Sequence, residues 1–140
     1  MTYTFRAPKA SSENHLANIS TRAFVSTGQG QLIGGFIITG GPKMVIIRAI
    51  GPSLAERGVT PALADPTLQL FNGETLVREN DNWQSAANAS DMVASGIAPT
   101  NASEAAMLIR LEPGFYTTVV RGVNDTTGIA LVEVYEADRD

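Results

Sequence analysis

The sequence contains no cysteine and a single histidine, His15. Without cysteine the chain cannot form disulfides, use a catalytic thiolate or bind zinc through sulfur. With one histidine it cannot build a multi-histidine metal site, and a Ser-His-Asp relay could form only beside His15, which we expect to be an ordinary surface residue. No serine lies in a G-x-S-x-G nucleophile elbow. We therefore predict that the protein is not an enzyme.

Charge and long apolar runs are also scarce. Charged residues make up 17% of the chain, against roughly 25% in an average soluble domain, and the net charge is −4. No basic cluster offers the counterion release that drives nucleic-acid binding. Apolar runs such as Met44 to Ile47 are far shorter than the roughly 20 residues of a membrane-spanning helix. We predict no nucleic-acid partner, no membrane insertion, and either a cytosolic protein or a mature exported chain without a signal peptide.

Turn-forming residues are plentiful by contrast. Thirteen glycines and seven prolines divide the 140 residues into short segments, about eight of which are rich in β-branched and aromatic residues. Two short helical turns are predicted, one after Pro52 and one from about Ser90 to Gly96. Eight strands need a second layer to bury an apolar face. We therefore predict an all-β, antiparallel two-sheet sandwich of the jelly-roll type, with a closed barrel as the alternative.

Two connections in this predicted sandwich are interpreted as hairpins. Asn72-Gly73 separates two alternating runs, and Asn-Gly in that setting is the strongest short hairpin signal. The runs "QLIGGFIIT" and "KMVIIRAI", joined by "GGP", are interpreted as a second hairpin. Gly34 and Gly35 inside the first of these runs indicate either a bulge or a close backbone approach.

Long phrases of the sequence resemble modules found in bacterial proteins. "LIGGFIITGGPKMVIIRAIGPSLAERGV", "ADPTLQLFNGETLVRENDNWQ" and "LEPGFYTTVVRGVNDTTGIALVEVY" resemble a β-sandwich module of large secreted and surface proteins of environmental bacteria. The second half, with its "LxPGxYxxxV" strand, is similar more loosely to the bacterial pre-peptidase C-terminal domain. The resemblance implies a non-catalytic module with an accessory, adhesive or assembly role outside the cell or at the cell surface.

The segment "RENDNW" places several oxygen-bearing side chains directly after a predicted strand. Asp65, Glu79, Asp81 and Asn82 could contribute oxygens to a calcium or ligand loop, although the spacing of an EF-hand is missing. The alternative is that these Asn and Asp side chains cap a turn. The single tryptophan, Trp83, is expected to plug the end of the sandwich rather than to stack on a sugar. Beyond this calcium hypothesis, no cofactor is predicted.

Four charged residues accompany the apolar strands. Arg48 and Arg121 lie within or at the end of such strands, while Glu104 and Glu133 lie in or beside later ones. A charge at these positions points to solvent, or is paired where it is covered. We predict a structural Arg–Glu bridge, with a ligand-binding arginine or simple exposure as the alternatives.

The first residues, "TYTFRAPKASSEN", differ from the rest of the chain. Residues 1–15 are predicted to be an extended arm, and residues 16–140 a single domain. Tyr3 and Phe5 would project to one side of a short strand, which either frays, docks on its own domain or inserts into a neighbouring subunit. We predict a non-catalytic, self-assembling extracellular module whose partners are copies of itself in a homo-oligomer or filament. The alternative is a carbohydrate-binding or calcium-dependent adhesion module, with a glycan as its partner.

Overall fold

The computed structural model describes residues 17–27 and 30–137, with side chains from Ile19 onward. Tyr3, Phe5 and His15 lie outside the described residues. No helix in the described ranges is long and apolar enough to cross a membrane. The strands are β1 (Ala17–Val25), β2 (Leu32–Ile38), β3 (Lys43–Ile50), β4 (Pro66–Asn72), β5 (Thr75–Asn80), β6 (Ala105–Leu111), β7 (Gly114–Gly122) and β8 (Gly128–Glu136), and the helices are α1 (Pro52–Ala55) and α2 (Ala89–Ser95).

The eight strands form two antiparallel sheets. The first sheet has the order β1-β8-β3-β6 and the second has the order β2-β7-β4-β5. This is the strand order of a jelly roll, in which most consecutive strands belong to opposite sheets. The predicted all-β sandwich is confirmed, and the strands do not close into a barrel.

The predicted β2–β3 hairpin is wrong. β2 pairs with β7, whereas β3 pairs with β6 and β8 in the other sheet. Of the two runs, β3 is covered on both faces, since Ile46 lies in the small core, whereas Ile33 of β2 is 39% exposed. The turn at Gly40 and Gly41, with φ of 82° and 127°, carries the chain from one sheet to the other. Two apolar runs that follow each other in the chain therefore need not pair with each other.

The predicted hairpin at Asn72-Gly73 is confirmed. β4 pairs with β5 around it, and Gly73 adopts a φ of 62°, which a glycine reaches without strain. In β2 the pairing with β7 runs without a register shift, so Gly34 marks no bulge. A Cβ on Gly34 would lie 3.2 Å from Thr118 Oγ1 and 3.4 Å from Val132 Cγ1, so side chains, and not another backbone segment, pack closely on this glycine.

The main core lies between the sheets and is built from alternate residues of each strand. Phe36 and Tyr116 stack in it with their ring centroids 5.6 Å apart. Other fully buried members include Val45, Ile47, Leu68 and Leu70. Strand alternation places the remaining side chains on the two outer faces of the sandwich.

A second, smaller core covers the outer face of β3 and β6 in the first sheet. Residues 81–104, here called the excursion, connect β5 to β6 and include a 3-10 turn and α2. Trp83 and Met92 of the excursion pack on Ile46 and Ala106, which point outward from β3 and β6. Trp83 thus lies beneath the excursion and not at the end of the sandwich as predicted, because the outward apolar residues of the sheet offer it a surface to cover.

Candidate functional site

Arg48 forms the predicted structural ion pair with Glu133. Its Nε donates to Glu133 Oε1 at 3.0 Å, and its Nη2 contacts the same oxygen. Nη1 donates to the carbonyl of Ile97 at 3.2 Å, and the guanidinium lies 5.1 Å from the centre of the Tyr135 ring. Arg48 therefore fastens the excursion to the first sheet, and its donors are engaged by the protein.

Glu104 departs from the prediction, because it pairs with no arginine. Its carboxylate is fully buried and accepts from the backbone N–H of Gly51 at 3.1 Å and of Ser53 at 2.8 Å, and from Ser53 Oγ at 2.8 Å. α1 begins after Gly51, which has no side chain to cap it. Glu104 supplies the cap from 53 residues away, a distance over which the sequence carries no signal.

Arg121 also departs from the prediction of an ion pair. Its Nη1 donates to Gln69 Oε1 at 2.6 Å on the exposed face of the second sheet. Gln69 Nε2 in turn donates to Glu79 Oε1 at 3.3 Å. These three side chains form a polar row across β7, β4 and β5. Gln69 was missed by sequence reasoning, and its register opposite Glu79 is the signal that would have identified it.

Two of the predicted calcium ligands, Asp65 and Asp81, come together. Asp65 precedes β4 and Asp81 follows β5, so the hairpin brings both to the same end of the strand pair. Burial raises the pKa of the Asp65 carboxyl, and the charge of Asp81 and a hydrogen bond to Asp81 raise it further. Asp65 Oδ1 is buried and has no hydrogen-bond partner among the described residues.

The rest of the predicted loop does not converge on this carboxyl pair. Glu79 bonds to Gln69, and the main-chain carbonyl of Asn82 accepts from Ser85 Oγ at 2.7 Å. Trp83 is 7% exposed, and its Nε1 donates to Asn101, so its face is not available for a sugar. Within residues 17–27 and 30–137, no three His, Asp or Glu side chains are grouped closely enough to hold a metal ion.

An open groove of about 800 Å³ lies where the chain leaves β5 for the excursion. Its apolar lining comes from Leu68, Ala86, Ala87, Ala106 and Met107. No aromatic side chain lines it. Its polar lining comes from Thr67, Gln69, Arg78, Glu79, Asn80, Asp81, Ser85, Asn88 and Arg121. The groove therefore combines charges of both signs with an apolar base.

The edge of β6 beside this groove is closed by side chains. Ala106 N donates to Asn80 Oδ1 at 3.0 Å, and the Leu108 carbonyl accepts from Arg78 Nη1 at 3.3 Å and Asn88 Nδ2 at 2.9 Å. Arg78 and Asn80 are opposite the core residues Leu70 and Leu68, so β5 directs them toward the other sheet. Polar residues at inward positions of an edge strand are a signal of such edge protection, which sequence reasoning did not use.

Comparisons with known proteins support the fold. No protein-family model matches the sequence, and none of the curated proteins matches it significantly. Among solved structures, the chain is similar to the pre-peptidase C-terminal domain of a collagenase from Bacillus anthracis, with 12% identity and a TM-score of 0.52 over 96% of each chain. At this identity the likeness concerns the fold alone. The chain thus has the β-sandwich fold of a pre-peptidase C-terminal domain, as the resemblance in its second half implied.

Proposed function

We propose that this chain is a non-catalytic structural module that associates with copies of itself, outside the cell or at the cell surface. Its N-terminal arm and its sheet edges join the subunits. The observation that carries the proposal is the unequal covering of the two sheets. The excursion covers the outer face of β3 and β6 in the first sheet, whereas no such segment among the described residues covers β5 and β7 of the second sheet, where large apolar side chains are exposed.

Phe115 and Leu76 represent this uncovered face. They point outward from β7 and β5 and are 45% and 44% exposed. Phe71 lies opposite both Leu76 and Thr117, so the apolar surface continues across three strands. Contiguous apolar surface of this kind in a sparsely charged protein favours protein–protein association.

A non-catalytic role agrees with the chemistry of the described residues. The buried carboxylate of Glu104 is occupied by backbone donors, and Arg48 is held by Glu133. The structural neighbour is itself a C-terminal domain of a collagenase, that is, a module that accompanies an enzyme. The proposed extracellular location rests on the resemblance of the quoted sequence phrases to modules of secreted and surface proteins.

Self-association is tested on the intact chain by size-exclusion chromatography with light scattering and by negative-stain microscopy. We expect oligomers or filaments that disappear in the double variant Tyr3→Ser, Phe5→Ser. Phe24→Ser is the matched control, because Phe24 is a 55% exposed phenylalanine on the first sheet. An intact chain that stays monomeric at every concentration would overturn the proposal.

A second candidate is calcium-dependent or glycan-mediated adhesion. The observation that favours it is the Asp65–Asp81 carboxyl pair beside a groove with polar walls. This candidate predicts a rise in melting temperature with calcium over EDTA, lost in Asp81→Asn, or retention on a glycan array. Equal melting curves with and without calcium, together with an empty array, would remove it.

A further inference from the structure

β5 is a sheet edge that offers its backbone to a further strand. Each residue from 75 to 79 is exposed, and among the described residues the only strand that pairs with β5 is β4. The register with β4 shifts between Leu76 and Arg78, so Val77 has no partner residue on β4. No other backbone hydrogen bond to residues 75–80 is formed within the described chain. Unpaired N–H and C=O groups along such an edge are a template for strand addition.

β6, the edge strand of the first sheet that lies beside β5, cannot pair with an added strand. Trp83 N donates to the Glu104 carbonyl, and Asn80, Arg78 and Asn88 occupy the backbone groups of Ala106 and Leu108. A strand that approaches this side of the sandwich can therefore pair with β5 and not with β6. The groove of about 800 Å³ at the end of β5 gives room for the residues that continue from such a strand.

The carboxylates at the end of β5 form no salt bridge with a described residue. Glu79 and Asp81 line the groove, and Asp65 lies against Asp81. The one salt bridge among the described residues joins Arg48 to Glu133, on the other sheet. Arg121 and Arg78 line the same groove, but they donate to Gln69 and to the Leu108 carbonyl and not to these carboxylates. A ligand with positive charge would complement this end of the groove.

The arm of the same protein has the matching chemistry. Residues 2–5, "TYTF", alternate between hydroxyl and aromatic side chains, and Arg6 and Lys9 follow them. In strand form, Tyr3 and Phe5 share one face, which suits the apolar outer face around Leu76 and Phe71. The two cations then come directly after the strand-forming part.

We propose that residues 2–5 of one copy add to β5 of another copy as a fifth strand of the second sheet. The strand runs in the same direction as β5, so that Arg6 and Lys9 reach Glu79 and Asp81 at its end. This inference rests on the proposed self-association and names its acceptor. Because β1 and β5 lie at opposite edges of the sandwich, the contact is heterologous and repeats from copy to copy.

Disulfide trapping tests the acceptor directly, since the chain has no cysteine of its own. Thr4→Cys and Val77→Cys chains are mixed, oxidised and run on a non-reducing gel, because only strands in contact bring two Cβ atoms within bonding range. We expect a cross-linked heterodimer at least tenfold more abundant than from Thr4→Cys mixed with Ser20→Cys, an exposed position on β1. In the single chain Thr4→Cys, Val77→Cys we expect a ladder of covalent oligomers.

The outcomes separate the two proposals. If the unmodified chain assembles but Thr4→Cys cross-links to Ser20→Cys and not to Val77→Cys, β5 is the wrong acceptor while self-association holds. If the double variant closes only within its own monomer, the arm docks on its own domain and the inference fails. If the unmodified chain does not assemble at all, the proposed self-association is wrong, and the inference that rests on it is wrong as well.

A charge test covers the case in which cysteine variants perturb the edge. We expect Glu79→Gln, Asp81→Asn to raise the concentration needed for assembly about tenfold, with an unchanged circular dichroism spectrum. Glu56→Gln, Asp91→Asn removes the same charge from two exposed positions, one after α1 and one in α2, and should leave assembly unchanged. Equal effects of the two pairs would overturn the role given to Arg6 and Lys9.

Discussion

At the scale of single residues, Asp65 gives the clearest dependence of stability on pH. Its pKa is raised above the ordinary value of 3.8 in the folded protein, first by burial and then by Asp81. The folded state therefore binds this proton more readily than the unfolded state, and the contribution of Asp65 to stability falls as the pH rises through the raised pKa. At neutral pH the ionised Asp65 carboxylate therefore lowers the free energy of unfolding.

We accordingly expect Asp65→Asn to raise the melting temperature at neutral pH and to change it little below pH 3.8. Thermal melts followed by circular dichroism at both pH values measure this. Glu56→Gln, at an exposed position after α1, serves as the control and should shift neither melt. A fall in melting temperature for Asp65→Asn at neutral pH would show that its charge is stabilising.

Removal of the Glu104 carboxylate should lower the free energy of unfolding substantially. Glu104→Ala leaves the N–H groups of Gly51 and Ser53 buried without an acceptor, and hydrogen bonds to a charged group contribute roughly 1.5–3 kcal/mol each. We expect a loss of about 3 kcal/mol in the free energy of unfolding, measured in urea. Glu112→Ala, on an exposed glutamate at the β6–β7 turn, should cost less than about 0.5 kcal/mol.

At the scale of elements, the excursion is held by a core of its own. Met92 is fully buried in that small cluster, and truncating a buried methionine to alanine costs roughly 2–5 kcal/mol. Since the main core does not depend on this cluster, Met92→Ala should loosen the excursion before the sandwich.

Hydrogen exchange measured by mass spectrometry tests this local loosening. In Met92→Ala we expect faster exchange in residues 83–98 and little change in β2 and β7. Leu70→Ala, a truncation in the main core, should instead speed exchange in both sheets. Uniform acceleration in Met92→Ala would mean that the two cores unfold together.

The elements also show how far the sequence determines the fold. The hairpin at Asn72-Gly73 and the end of α2 at Gly96, with φ of 84°, were predictable because turn chemistry is local. The hairpin register also implies that Asp65 and Asp81 meet, since residues flanking paired strands share an end. The partners of β2 and β3 were not predictable, because jelly-roll pairing joins strands far apart in the chain. The contact of Glu104 with the start of α1 was not predictable either, because the two lie 53 residues apart in the chain.

At the scale of the whole molecule, association through the second sheet should depend on its apolar outer face. Phe115→Asp places a charge on this face, so we expect the mass measured by light scattering to fall toward that of a monomer. Because Phe115 is 45% exposed, the melting temperature of the monomer should change little. Phe24→Asp, on the first sheet, is the matched control and should keep the mass of the intact chain.

The pairing of β1 with β8 has a mechanical consequence for any fibre built from this module. Ala17, at the start of β1, is registered with Tyr135, near the end of β8, so both ends of the domain lie at one corner of the first sheet. Tension applied between these ends would load the β1–β8 ladder in the unzipping geometry, in which its hydrogen bonds break one after another, and not in the shearing geometry, in which they break together. In a fibre in which each arm pairs with β5 of the next subunit, tension would act along a different line, from Ala17 across the sandwich to β5. The β1–β8 ladder would then not be loaded in its unzipping geometry.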